Sequence, residues 1–135
     1  TFMAKPHHVI PLEEADTGVL YGGKGKFRIL VDEQMCGAKN YSMLLNTQPS
    51  GAVGKPHSHD EAEHSWFILE GTGTVTLGDE SFKIGPNMTV YIPPGTMHGI
   101  EADEGSELKY IVIYSPPGPE QNLRKAGATA FDTRS

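Results

Sequence analysis

The sequence predicts an all-β fold, either a sandwich or a closed barrel. The 135 residues include 16 glycines and 10 prolines, which interrupt the chain at intervals too short for many helices. Between these interruptions lie short runs rich in β-branched, aromatic and aliphatic residues, spaced by about 8 to 12 residues as in β sandwiches and barrels. No long stretch repeats its apolar residues with helical periodicity, which argues against a doubly wound α/β fold.

Seven of these runs fit strands that are bounded by turn signals. In chain order they span residues 26–31, 41–47, 65–69, 74–77, 82–84, 88–92 and 108–114. The turns carry residues that favour tight bends, as at Gly78-Asp79 and Pro93-Pro94-Gly95. One helix is expected at 120–126, after a proline-rich break. The polar segment 117–135 is expected to form a peripheral C-terminal tail.

Length, charge and cysteine content narrow the class of protein. A chain of 14.6 kDa fits one domain, and we expect 1–135 to form a single domain. The 11 Lys and Arg residues against 17 Asp and Glu give a net charge of −6, which argues against nucleic-acid binding. No apolar run is long enough to span a membrane, and the first residues lack the pattern of a secretory signal. Cys36 has no partner for an intramolecular disulfide, so a cytoplasmic location is expected.

Four histidines fall where neighbouring strands would let them converge. His57 and His59 are separated by one residue, so on extended backbone both side chains point to the same face. His64 opens the next apolar run, and His98 follows a proline-glycine turn. Neutral imidazole is a ligand for Fe, Mn, Cu, Ni and Zn. Three or four histidines converging at one end of a barrel would therefore make a site for a divalent transition metal ion.

Two segments carry a resemblance to the cupin superfamily. Segment 51–71, which begins GAVGKPHSH, resembles the first cupin motif: Gly, five residues, His-x-His, three or four residues, Glu, six residues and Gly. Segment 85–98, which ends PPGTMH, is similar to the second motif, which runs from Gly through Pro-x-Gly to His. The resemblance covers about residues 26–116, the core of the expected domain. It implies a double-stranded β-helix, a jelly-roll-like barrel with one metal ion at its mouth, and usually a homodimer.

The resemblance leaves two candidates for the third metal ligand. Counting six residues back from Gly71 gives His64, where most cupins have Glu. Glu63 would restore the usual set of three histidines and one glutamate, but neighbouring strand residues point to opposite faces. Spacing and parity favour His64 over Glu63. The preferred ligand set is therefore His57, His59, His64 and His98.

A site of four neutral imidazoles carries one more positive charge than a site with a carboxylate, and would attract an anionic ligand. The resemblance then implies a small mononuclear metal dioxygenase acting on an enolate-, diketone- or catechol-like small molecule. Trp66 and Ile68 share a strand face with His64 and are candidates for lining the substrate pocket, although both also fit the barrel core.

Two alternative functions stay open. One is a metal-dependent lyase or isomerase in which Glu61, Glu63 or a tyrosine moves a proton. The other is a non-catalytic cupin that binds a small ligand.

Overall fold

The computed structural model describes residues 8–54, 56–59 and 61–126, and antiparallel strands make up most of them. The strands are β1 (Asp16–Leu20), β2 (Gly25–Val31), β3 (Ser42–Gln48), β4 (Glu63–Glu70), β5 (Gly73–Leu77), β6 (Glu80–Ile84), β7 (Thr89–Ile92), β8 (His98–Ala102) and β9 (Leu108–Ser115). Two helices, α1 (Glu33–Cys36) and α2 (Pro119–Ala126), accompany them. Within the described ranges, no helix has the length and hydrophobicity needed to cross a membrane.

The strands form two antiparallel sheets around one core. The larger sheet has the order β1-β2-β3-β9-β4-β7, and the smaller has the order β6-β5-β8. Both sheets contribute side chains to the same hydrophobic cluster, among them Phe27, Leu44, Ile68, Val75 and Ile100. The expected all-β fold of sandwich or barrel type is confirmed.

Each of the seven predicted strands corresponds to an observed strand, with ends that differ by at most two residues. The sequence did not predict β1 and β8, whose sequences DTGVL and HGIEA each contain a glycine and an acidic residue. Such residues are depleted in strands, and here the backbone pairing of β1 with β2 and of β8 with β5 outweighs that tendency. The short helix α1 was also missed. It begins at Asp32, whose side chain accepts a hydrogen bond from the Met35 backbone N–H at 2.8 Å.

Burial alternates along β4 and shows which of its side chains face the barrel interior. His64, Trp66 and Ile68 are buried, whereas Glu63 and Phe67 are exposed. Side chains therefore alternate between the two faces of β4 from Glu63 to Ile68, as the sequence predicts.

The helix predicted at 120–126 is observed as α2, and buried polar contacts hold it against the barrel. The Arg124 guanidinium contacts the carboxylates of Asp16 and Asp32 at 2.7 and 3.0 Å. The Ser42 hydroxyl donates to the Glu120 carboxylate at 2.7 Å, and Glu120 is only 2% exposed. Residues 127–135 of the expected tail lie outside the described residues.

Candidate metal centre

The four histidines singled out from the sequence come from three parts of the fold. His57 and His59 lie in the segment that leads into β4, while His64 is near the start of β4 and His98 opens β8. Backbone pairing fixes the lead segment against the smaller sheet, because His57 and His98 exchange N–H to carbonyl bonds of 2.9 and 2.8 Å. The Gly95 N–H, in the turn before β8, donates to the His59 carbonyl at 2.8 Å.

These backbone contacts bring the four imidazoles together. One potential ligand nitrogen from each of His57, His59 and His98 lies within 4.8 Å of the others. His64 joins this group through His98, since their Nε2 atoms are 3.1 Å apart. The ring of His64 is also 5.2 Å from that of His59, measured between centroids. We call these four side chains the histidine cluster.

Hydrogen bonding fixes which nitrogens carry lone pairs. His98 Nδ1 lies 2.8 Å from the Thr96 carbonyl, which can only accept, so Nδ1 carries the proton and Nε2 of the neutral ring has a lone pair. The contact between the two Nε2 atoms then requires His64 to donate through Nε2. Nδ1 of His64 is left as a buried nitrogen with no hydrogen-bond partner among the described residues, and so is Nε2 of His59.

The unpaired Nε2 atom of His59 and the close Nε2 atoms of His64 and His98 fit a bound metal ion. Buried polar atoms usually have a partner, and leaving one unpaired costs about 1–3 kcal/mol. A metal ion between the rings would accept lone pairs from several of them and would replace the hydrogen bond between the two close Nε2 atoms, with the His64 proton moving to Nδ1. The Thr96 carbonyl would then orient the His98 ring by accepting a hydrogen bond from Nδ1. Metal-bound histidines are commonly oriented in this way, by a hydrogen bond from the nitrogen that does not bind the metal.

The electrostatics of the cluster keep the rings of His59, His64 and His98 neutral. Burial, followed by the neighbouring His98 and His59 imidazoles, lowers the pKa of His64 to about 3. Burial also lowers the pKa of His98 to about 4, although its bond to the Thr96 carbonyl opposes the shift. The pKa of His59 is lowered by burial and by His57. At neutral pH the cluster therefore offers imidazole lone pairs without first losing protons.

Aromatic side chains surround the cluster on the interior side. The ring of Tyr114 stacks on His64 at 4.9 Å, with 15° between the planes. Trp66 lies edge-on to His64 at 5.6 Å, and Tyr110 contacts Trp66 at 5.7 Å. Burial raises the pKa of both tyrosines, so both hydroxyls stay protonated at neutral pH.

The two predicted pocket-lining residues differ in their positions. Trp66 is next to the cluster, whereas Ile68 is fully buried within the hydrophobic core and opposes Tyr110 on β9. The sequence did not place Tyr114 at the cluster, because β9 is apolar on both faces and its orientation becomes visible only from its pairing with β4.

Glu63 lies outside the cluster. Its side chain is exposed, and its carboxylate accepts a hydrogen bond from the Tyr91 hydroxyl at 2.6 Å. In the same strand His64 is only 3% exposed and points inward. At the start of β4, the side chain that points inward is therefore the imidazole of His64 and not the carboxylate of Glu63.

An open groove adjoins the cluster at His59. It has a volume of about 350 Å³ and is lined by Ser58, His59, Glu61 and Ala62 and by residues 116–119. Asn122 of α2 completes it, a position that carried no signal in the sequence.

The two-sheet barrel and its histidine cluster define a β-barrel protein with a candidate metal centre. A family model described as Cupin domain matches residues 43–114, which is more than half of the chain. The chain belongs to the cupin family, and the resemblance inferred from its two histidine motifs is confirmed.

Two curated proteins share this region. An uncharacterized protein of Methanocaldococcus jannaschii is 39% identical over 69 residues, covering 51% of this chain and 55% of that protein. A mannose-1-phosphate guanylyltransferase of Salmonella typhimurium is 38% identical over 79 residues, covering 57% of this chain and 16% of the transferase. The chain therefore spans about half the length of the first relative and about one sixth of the second.

A solved structure shows the same fold over most of both chains. The polyketide cyclase RemF from Streptomyces resistomycificus superposes with a TM-score of 0.72 and is 23% identical. The match covers 84% of this chain and 82% of the cyclase. It confirms the expected double-stranded β-helix, the jelly-roll-like barrel.

Proposed function

We propose that the histidine cluster binds one divalent transition metal ion and that the bound metal makes the protein an enzyme acting on a small molecule. The ligands would be His57, His59, His64 and His98. The observation that carries this proposal is the convergence of the four rings, in which Nε2 of His59 is buried without a partner among the described residues and the Nε2 atoms of His64 and His98 are 3.1 Å apart. Fe, Mn, Cu, Ni and Zn all accept such ligands.

The charge of the site favours a particular kind of ligand. No Asp or Glu of the described residues belongs to the group that converges with the histidines. A divalent ion there would keep its full charge of about +2, since neutral imidazoles do not offset it. An anionic ligand with two oxygens, such as an enolate, a diketonate or a catecholate, would neutralise that charge.

We further propose a reaction of the dioxygenase type. The metal, when bound, would supply a Lewis acid and open coordination positions for such a substrate and for oxygen. The chain would orient the substrate and exclude water from it: Trp66 provides a buried apolar wall beside His64 and His98. Tyr114 holds the His64 ring in place by stacking on it.

A lyase or isomerase is the second candidate, because a carboxylate lies beside the cluster. Glu61 is exposed and lines the same groove as His59. Its carboxylate could take a proton from a substrate held at the metal and return it to another atom. Glu63, the other acid considered from the sequence, faces away from the cluster and does not suit this role.

The remaining expectations concern assembly and location. We propose that the protein is a homodimer, which light scattering of the purified chain would test. We also propose a cytoplasmic location, which cell fractionation would test.

Metal analysis combined with turnover assays tests the function. Plasma mass spectrometry of the purified protein, before and after chelation, should give about one transition metal ion per chain. Diketones, catechols and flavonols should then be screened with and without oxygen. Turnover that consumes oxygen supports the dioxygenase, and turnover that persists without oxygen supports the lyase or isomerase. Absence of metal, with none taken up on reconstitution, would reject the metal-dependent enzyme and leave the ligand-binding cupin.

A further inference from the structure

The groove beside the histidine cluster has a polar lining that the proposed dioxygenase chemistry does not use. Ser58, Glu61 and Asn122 line it, and all three side chains are exposed. His59 also lines it while presenting the buried, unpaired Nε2 to the cluster. A molecule held at the cluster could therefore continue into the groove past one shared imidazole.

Prolines restrict the backbone in the part of the groove wall formed by residues 116–119. Three of the four residues in segment 116–119 are prolines, whose backbone φ is fixed. The helix that follows is held to the barrel by Arg124 on Asp32 and by Glu120 on Ser42. Asn122 lies between these two anchoring positions, so its amide is presented to the groove by a fixed helix. Preorganised groups of this kind lose little entropy when they bind a ligand.

The donors and acceptors of the groove match hydroxyl groups. A serine hydroxyl and an asparagine amide each donate and accept, whereas a carboxylate only accepts. Hydroxyls on a ligand can satisfy all three, since each hydroxyl both donates and accepts. An ammonium group could pair with the acceptors but would leave the Asn122 amide N–H groups and the Ser58 hydroxyl proton without an acceptor, and an aromatic ring would cover these side chains without pairing them. None of the described residues lining the groove is a lysine or an arginine that would select a second anionic group.

We propose that the groove binds the hydroxyl-bearing chain of a polyhydroxylated acid or ketone whose oxygen-chelating end lies on the metal. In this assignment Glu61 and Asn122 are specificity residues that contact the substrate away from the reacting atoms. The assignment rests on the proposed metal site and narrows its substrate class. The groove volume of about 350 Å³ is within the range of small-molecule sites.

The test compares two acids that chelate identically. Gluconate and 2-hydroxyhexanoate have the same 2-hydroxy acid end and the same number of carbons, but only gluconate has hydroxyls along the rest of its chain. Each would be titrated into the Co²⁺-loaded protein, with the visible spectrum of the metal reporting binding. We expect gluconate to bind the wild-type protein about tenfold more tightly, as expected for one or two additional hydrogen bonds.

Variants locate the effect in the groove. Glu61→Gln and Asn122→Ala should each weaken gluconate binding about fivefold and leave 2-hydroxyhexanoate unchanged. Glu80→Gln, in the exposed strand β6, and Lys125→Ala, exposed on the same helix as Asn122, are controls that should change neither affinity.

The outcomes separate the inference from the function on which it rests. Equal binding of the two acids to the wild-type protein, or equal losses for both acids in the variants, would overturn the assignment of the groove and leave the metal site standing. Failure of gluconate to bind the Co²⁺-loaded protein would do the same. Failure of the protein to retain Co²⁺ would overturn the metal site and the assignment together.

Discussion

Two groups of buried polar side chains in this protein have opposite hydrogen-bonding states. In the network around Asp32, both carboxylate oxygens of Asp32 are paired. Asp32 Oδ1 accepts from the Met35 N–H at 2.8 Å, and Oδ2 accepts from Gln121 and Arg124 at 3.0 Å each. In the histidine cluster, two ring nitrogens are buried without a hydrogen-bond partner among the described residues, and two others face each other at 3.1 Å.

The difference separates a structural role from a binding role. A satisfied buried network contributes to the fold and needs no ligand. An unsatisfied cluster costs stability, and it makes physical sense when a ligand supplies the missing partner. Burial alone does not distinguish the two groups, since Asp32 is fully buried and His98 is only 1% exposed. The number of hydrogen-bond partners per buried polar atom does distinguish them.

Breaking the satisfied network should have the largest effect on stability. Arg124→Ala removes the one ion-pair partner that the fully buried Asp32 has among the described residues, and it also removes the salt bridge to Asp16. We expect a loss of about 3 kcal/mol in the free energy of unfolding, measured by urea denaturation, because a buried carboxylate loses its counter-charge. The metal content of the purified variant should stay near that of the wild type.

An exposed ion pair is the control for this prediction. Lys39 and Glu33 form a salt bridge with side chains that are 71% and 65% exposed. Lys39→Ala should cost no more than about 0.5 kcal/mol, because water screens such pairs. Equal losses in the two variants would show that burial of the Asp32 network contributes nothing.

Changing the unsatisfied cluster should affect metal binding much more than the stability of the metal-free protein. We expect His98→Ala to lower metal affinity at least about 100-fold, since outer groups alone typically cost 10- to 100-fold and His98 contacts the ion in the proposed site. Added metal should raise the midpoint of thermal unfolding of the wild type and leave that of the variant unchanged. The chelated wild type should stay folded at room temperature, because its core is built from apolar strand residues.

A similar metal-induced rise in both proteins would place the ion elsewhere. Unfolding of the chelated wild type at room temperature would instead mean that the metal organises the barrel.

The satisfied network also predicts a dependence of stability on pH. Burial raises the pKa of Glu120, but hydrogen bonds from Gln121, from the Gly118 N–H and from Ser42 outweigh it and hold the pKa below its ordinary value of 4.5. A carboxylate with a lowered pKa stabilises the fold above the pKa of the unfolded chain, and that contribution is lost as the pH falls through the lower, folded value. Glu120→Gln should therefore be about 1 kcal/mol less stable than the wild type at neutral pH.

Thermal unfolding across the acid range checks this sign. The difference between Glu120→Gln and the wild type should shrink as the pH falls below 4.5. The exposed variant Glu80→Gln should show no such trend. A difference that grows toward acid pH would contradict the assignment of Glu120 as a stabilising carboxylate.

Different parts of the fold could be predicted from the sequence with different completeness. Runs of β-branched, aromatic and aliphatic residues bounded by turn residues were enough for seven strands, since both signals depend on local chemistry. The residues of β1 and β8 do not themselves favour strands: β1 pairs with the adjacent β2, whereas β8 depends on β5, which is distant in the chain. The network around Asp32 was invisible for the same reason, because Arg124 lies far along the chain from both of its partners.

The cluster was predictable in its members but not in its surroundings. Spacing within two motifs identified the four histidines, which the structure brings together at one site. Tyr114 and Asn122 reach the site through the pairing of β9 with β4 and the docking of α2, and no local pattern records either event. The ligand set itself stays a prediction until metal binding is measured.

The smallest expected effect separates the two candidates for the third metal ligand. Glu63→Gln changes an exposed side chain that pairs with Tyr91, so the metal content per chain should equal that of the wild type. His64→Gln, at the adjacent inward position, should lose metal, because it removes an imidazole 3.1 Å from that of His98. Plasma mass spectrometry of the two variants, purified side by side, measures both. Loss of metal in Glu63→Gln with retention in His64→Gln would mean that β4 turns its opposite face to the ion, and the parity argument for this strand would be wrong.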